Sequence, residues 1–133
     1  MTPESLFHYN FTDGIHHMAT LQGTGSAVKA ILEHMERVLD DLPKDEKVRM
    51  LVDFRPAGPP PMTEGIAHLL AFFRRQGHKT MGPARVAYLY PRAAQSRILT
   101  GFLGIQRFLP QRVTVRFFPE NEEDKAREWL QAG

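Results

Sequence analysis

Asp53 and Arg55 stand two residues apart at the end of an apolar run, VRMLVDFR, and a proline-rich loop, PAGPPPMT, follows them. An acid and a guanidinium at the carboxyl end of a strand can hold a polar ligand or meet a partner's charge, because ligands of open α/β sheets sit off those strand ends. Tyr90 and Arg92 close a second apolar run, RVAYLYPR, and bring a phenol and another guanidinium to the same sheet edge. Thr63 supplies the only hydroxyl between Arg55 and the helix that follows, so it is also the phosphorylation candidate of this loop. Asp53, Arg55, Thr63, Tyr90 and Arg92 therefore form the expected ligand- or partner-binding set. The plainer alternative is that Asp53 caps the loop or pairs with Arg55 or Arg92, while the prolines stiffen a connection.

Other chemistry has less material. The three serines, Ser5, Ser26 and Ser96, lie in no nucleophile elbow. The basic half of the chain offers no carboxylate pair for acid–base work, so no catalytic residue is assigned and enzymatic activity is not expected. His8, His16 and His17 crowd the first hairpin, but no HExxH or comparable ligand spacing occurs, so no metal is assigned. Gly23-Thr24-Gly25-Ser26-Ala27-Val28 has two of the three glycines of a dinucleotide fingerprint. With Val28 in the third place and a hairpin arm before it, the stretch reads as a turn and helix start. No cofactor follows from any motif.

The absence of cysteine removes disulfides, thiolate metal sites and cysteine nucleophiles together, and fits a reducing cytoplasm. The N-terminal residues lack the basic start and apolar run of a leader, and no apolar run is long enough for a membrane span. A cytoplasmic location is expected. The net charge of +2 conceals a segregation: no Asp or Glu occurs from Gly65 to Pro119, whereas nine basic residues do. Residues 1–64 sum to −4 and residues 120–133 to −3. The basic stretch either seeks anions, with nucleic acid or anionic lipid as the alternative partner of the arginine-rich region 74–116, or pairs with the acidic first and last helices.

The elements that position these residues follow from periodicity. Ser5–Phe11 and Ile15–Gln22 read as two strands joined at Asp13-Gly14. That register pairs Phe11 with His16 and Tyr9 with Met18, and gives Phe7, Tyr9, Phe11 and Met18 a common core-facing side. A helix with Val28, Ile31, Leu32, Met35, Val38, Leu39 and Leu42 on one face runs to about Asp41, with Thr24 or Ser26 as N-cap. Val48–Phe54 is apolar on both faces, as an internal strand is. A helix from Met62 or Thr63 to Arg75, a strand Ala84–Tyr90 and a helix from Arg92 to about Phe108 follow. Gly101 and Gly104 weaken that last helix or let it approach another backbone. Arg112–Phe118 alternates like an edge strand, and a short helix docks through Ala126, Trp129 and Leu130. The order ββαβαβαβα predicts one α/β domain over residues 1–133, with a mostly parallel sheet and an opening hairpin.

With this order the chain resembles the SpoIIAA-like, or STAS-like, family, whose relatives include the lipid-binding SEC14 type. The resemblance rests on the hairpin that enters a helix through Gly23-Thr24-Gly25, on the strand ending LVDFR, and on the closing VTVRFFPENEEDKAREWL. It implies a small non-enzymatic bacterial module that regulates through protein contact or holds a small anionic or apolar ligand. A homodimer is compatible with it. Signalling members carry a phosphorylatable Ser or Thr where the helix after the central strand begins. Here the usual Asp-Ser pair is absent and Thr63 is the nearest hydroxyl.

Overall fold

Asp13 and Gly14 turn the chain with φ of +56° and +77°, the left-handed pair that a tight hairpin turn requires. They join β1 (Phe7–Thr12) to β2 (Ile15–Thr20) antiparallel, with Phe11 opposite His16 and Tyr9 opposite Met18, the register expected from the turn. Phe7 and Met18 are buried on the shared face, but Phe11 at the hairpin tip is 58% exposed. The hairpin reaches past the helix that covers its base, so the expected core role of Phe11 does not hold.

The computed structural model describes residues 6–43, 46–58, 62–77, 83–109 and 111–132, without the side chains of Met62, Thr63, Ile105 and Phe108. Four strand–helix units follow from β2: α1 (Gly25–Asp40), β3 (Val48–Asp53), α2 (Met62–Gly77), β4 (Ala84–Tyr90), α3 (Gln95–Ile105), β5 (Val113–Pro119) and α4 (Glu123–Gln131). Thr24 is the N-cap of α1, its hydroxyl accepting from the Ala27 amide at 3.2 Å. The strands lie in the order β1-β2-β3-β4-β5, parallel from β2 onward. This is the mixed α/β sheet expected, with β3 internal and β5 at an edge. The helix expected from Arg92 to Phe108 is split: tight 3₁₀ turns at Arg92–Ala94 and Gln106–Phe108 flank α3. Gly104 has nothing within contact distance of a would-be Cβ, so it permits no close approach to another backbone.

Strand alternation divides the interior into two cores. Met18, Met50, Val52 and Val86 point to one face, where Ile31, Leu32 and Met35 of α1 and Phe72 and Phe73 of α2 cover them. Tyr90, Ala94 and Ile98 extend this face under α3. On the opposite face Ile15, Leu51, Ala87, Leu89 and Phe118 meet Ala126 and Leu130 of α4. Helix α4 is held at its C-terminal end by arginines from the sheet. Arg49 Nε donates to the Leu130 carbonyl at 2.9 Å and Arg85 Nη1 to the Trp129 carbonyl at 2.6 Å, while the Arg85 guanidinium lies 4.9 Å from the centre of the Trp129 ring. Cations at the C-terminal carbonyls complement the helix dipole and satisfy acceptors that the helix itself leaves open.

Candidate functional site

Asp53 and Phe54 are neighbours in sequence but their side chains serve opposite faces of the sheet. Asp53 points to the α4 side and is 4% exposed. Arg55 folds back on it: its backbone amide and its Nε each reach Asp53 Oδ1 at 2.9 Å, and Nη2 reaches Oδ2 at 2.7 Å. The same Nη2 meets Glu123 Oε1 at 2.5 Å, and Glu123 Oε2 accepts from Arg127 Nε at 2.8 Å. Arg127 Nη2 lies 3.3 Å from His17 Nδ1, and His17 Nε2 lies 3.7 Å from Asp53 Oδ2. A guanidinium only donates, so His17 Nδ1 is the acceptor and its proton sits on Nε2, toward Asp53. Two acids, two arginines and the His17 ring close a circuit that joins β2, the end of β3 and the start of α4.

Burial alone would raise the Asp53 carboxyl. The nearby His17 ring and the bonds and charge of Arg55 outweigh it and hold Asp53 well below the ordinary carboxylate range. Burial likewise opposes the charge on Glu123, and Arg55 and Arg127 together lower it. Arg55 is raised in turn, chiefly by its bonds to Asp53.

The structure separates the other expected site residues from this pair. Tyr90 is buried beneath α3, on the face away from the Asp53 carboxylate. Arg92 is exposed and bonds the loop after β5, with Nη2 at 3.2 Å from Asn121 Oδ1 and its amide at 3.4 Å from Glu120 Oε1. The Thr63 side chain and Pro59–Pro61 lie outside the described residues. Asp53 and Arg55 are brought together; Tyr90 and Arg92 do not join them around one concavity. Much of the positive charge is used within the protein, as in the pair of Arg75 with Glu36 of α1 at 3.0 Å.

A concavity does exist on the other face. A cavity of about 90 Å³ lies between the sheet and α1, α2 and α3. Val52 and Phe54 of the central strand line it, with Tyr88, Phe117, Leu69 and Phe102. Three rings form its floor at the carboxyl ends of the strands: Phe54 stacks on Tyr88 at 5.5 Å between centroids, and Tyr88 on Phe117 at 5.1 Å. Phe102 of α3 meets Phe117 edge-on at 4.8 Å. Among the described residues the lining is apolar except for the Tyr88 hydroxyl and the Met50 thioether.

These lining residues were not singled out by sequence. The available signal was their parity: in the sheet Val52, Tyr88 and Phe117 stand directly abreast. A second glycine signal also acquires a cause. A Cβ at Gly25 would collide with the carboxylate of Glu64, which approaches the start of α1 from α2. Among the described residues no group of three or more His, Asp or Glu side chains is arranged to hold a metal ion.

Residues 19–131 match the SpoIIAA-like family model. The chain belongs to the SpoIIAA-like family. The match runs from the end of β2 through α4, so it covers the apolar cavity and the ion ring except for His17. SpoIIAA-like and STAS-like domains are generally non-enzymatic regulatory modules, and such domains commonly mediate protein interactions. Comparison with curated proteins and with solved structures found no match. No helix among the described residues is long and apolar enough to cross a membrane.

Proposed function

We propose that this SpoIIAA-like domain is a non-catalytic module that holds a small apolar ligand between its sheet and α1–α3, beside the end of the central strand. One observation carries the reading: an apolar cavity of about 90 Å³, floored by three stacked rings, at the strand ends where α/β sheets bind ligands. Interiors of this size are otherwise packed with few voids larger than a water molecule. The Asp53–Arg55 pair belongs to the scaffold that fixes the same strand end from the opposite face. Asp53, Arg55, Tyr90 and Arg92 then act by shaping the site, and a direct partner contact through Arg92 or Thr63 remains a separate proposal of the same module.

The test is to fill the space. Val115 is partly buried and lines the cavity from the edge strand. Titration of the wild-type protein with ethylbenzene, followed by amide NMR, should give saturable shifts at Val52, Phe54, Tyr88 and Phe117. Val115→Phe should abolish those shifts while leaving the folded spectrum intact. Saturable binding that survives Val115→Phe unchanged would place the ligand elsewhere.

A second reading is favoured by the surface of α3. Leu99 is 38% and Leu103 71% exposed, one helical turn apart on a helix that carries Arg97 and no acid. Exposed leucines beside arginine suit an anionic lipid surface better than nucleic acid, which calls for aromatic or planar polar contacts. The combined change Leu99→Glu and Leu103→Glu should lower co-sedimentation with phosphatidylserine vesicles by about tenfold at low ionic strength. Wild-type protein that ignores such vesicles at low ionic strength would remove this reading.

A further inference from the structure

The cavity is built almost wholly of carbon, yet the ring at the centre of its floor is a tyrosine. Phenylalanine would stack between Phe54 and Phe117 equally well. The Tyr88 hydroxyl has no hydrogen-bond partner among the described residues. Nor does it belong with the sealed, unpartnered polar atoms, which are His17 Nε2, His34 Nε2 and Gln76 Nε2. It therefore borders open volume; Tyr88 is half-buried and lines the cavity. An unpartnered hydroxyl in apolar surroundings costs free energy that phenylalanine would not. Water is a poor remedy, because a buried water needs two to four polar partners and the described lining offers one hydroxyl.

We infer that the Tyr88 hydroxyl is the single polar anchor of the cavity and selects an apolar ligand bearing one neutral oxygen acceptor, such as a ketone, ester or ether. This deepens the apolar-ligand reading above and rests on it. The charge on the ligand is fixed by what the lining lacks. Among the described residues no cationic side chain lines the cavity, and an uncompensated carboxylate or phosphate in such surroundings is strongly disfavoured. Burial raises the Tyr88 phenol well above its ordinary value, so it stays protonated and acts as a donor at neutral pH. A donor with no other partner recognises an acceptor. Its position between two stacked rings directs a flat or narrow apolar body along the floor, with the oxygen toward β4.

Three probes of similar size separate the possibilities: acetophenone, with a carbonyl; ethylbenzene, with none; and benzoate, with a charge. Calorimetric titration of the full chain should show acetophenone binding roughly threefold to tenfold tighter than ethylbenzene, the range expected for one net hydrogen bond. Tyr88→Phe should erase that preference while leaving ethylbenzene affinity unchanged, and benzoate should bind neither protein. The same variant without ligand should melt at a temperature equal to or higher than wild type, because it removes an unpartnered hydroxyl. Acetophenone preference that persists in Tyr88→Phe, or its absence from wild type while ethylbenzene still binds, overturns the anchor and leaves the apolar-ligand reading standing. Failure of every probe to bind wild type overturns both.

Discussion

Arg55→Met is expected to cost about 3 kcal/mol of folding stability at neutral pH, toward the lower end of what breaking one side of a buried ion pair does. The carboxylate left behind is 4% exposed and, among the described side chains, would keep the His17 ring at 3.7 Å. The lower end applies because the Arg55 side chain is itself 29% exposed and water partly replaces it. A loss of this size is a large fraction of the stability of a small domain, and urea denaturation at pH 7 reads it directly. The pH dependence is more diagnostic than the magnitude. In the wild type the folded Asp53 carboxyl titrates well below its ordinary value of 3.8. Its contribution is therefore complete above the unfolded value and is lost as pH falls toward the folded one. In Arg55→Met burial dominates and raises the folded carboxyl, so protonation now favours the native state. The stability gap between the two proteins should shrink steadily as pH is lowered from 5 to 3. A gap that stays constant across that range would mean that Asp53 is not the group Arg55 stabilises.

The same pair marks how far the sequence could be read. Alternation within each strand placed the elements well: the Asp13-Gly14 turn fixed the hairpin register, and the doubly apolar run Met50-Leu51-Val52 identified β3 as internal. Such features are local, set by turn chemistry and by the two-residue period of a strand. Proximity of Asp53, Tyr90 and Arg92 along strand ends was a weaker inference, because one residue of offset sends a side chain to the other face. Asp53 went to α4 and Tyr90 to α3. The bond from Arg55 to Asp53 was among the alternatives, but the closure of the ring through Glu123, Arg127 and His17 needs α4 to return across the sheet, a tertiary event. The cavity was beyond reach for a similar reason. Phe54, Tyr88 and Phe117 are visible as aromatic residues near strand ends, but the space above them depends on how far α2 and α3 stand from the sheet. Charge segregation was legible and its use only half so. Arg75 pairs with Glu36 as the acidic first helix suggested, whereas Arg49 and Arg85 bind carbonyls at the end of α4, which carry no formal charge to count.

Leu130→Ala should be nearly as costly as the arginine change, at about 3 kcal/mol for a fully buried leucine. Leu130 is 0% exposed and closes the α4 core over Leu51, Leu89 and Phe118. It also carries the carbonyl that Arg49 binds, so a shift of the last turn of α4 loosens that cap as well. Combined with Arg55→Met, the loss should be smaller than the sum, because both changes release the same helix: once α4 has left the sheet at one end, the contacts at its other end no longer count in full. Urea curves for the two single variants and the double variant measure that coupling. Full additivity would show that the two ends of α4 dock independently. The same series separates the two faces of the sheet. The cavity is lined from α1–α3 and from strand residues that face them, and no residue of α4 lines it. Under conditions where Leu130→Ala remains folded, its affinity for ethylbenzene should therefore equal that of the wild type. An affinity that falls with the stability of α4 would mean that the ion ring under the central strand transmits strain to the aromatic floor, and would tie the two faces into one device.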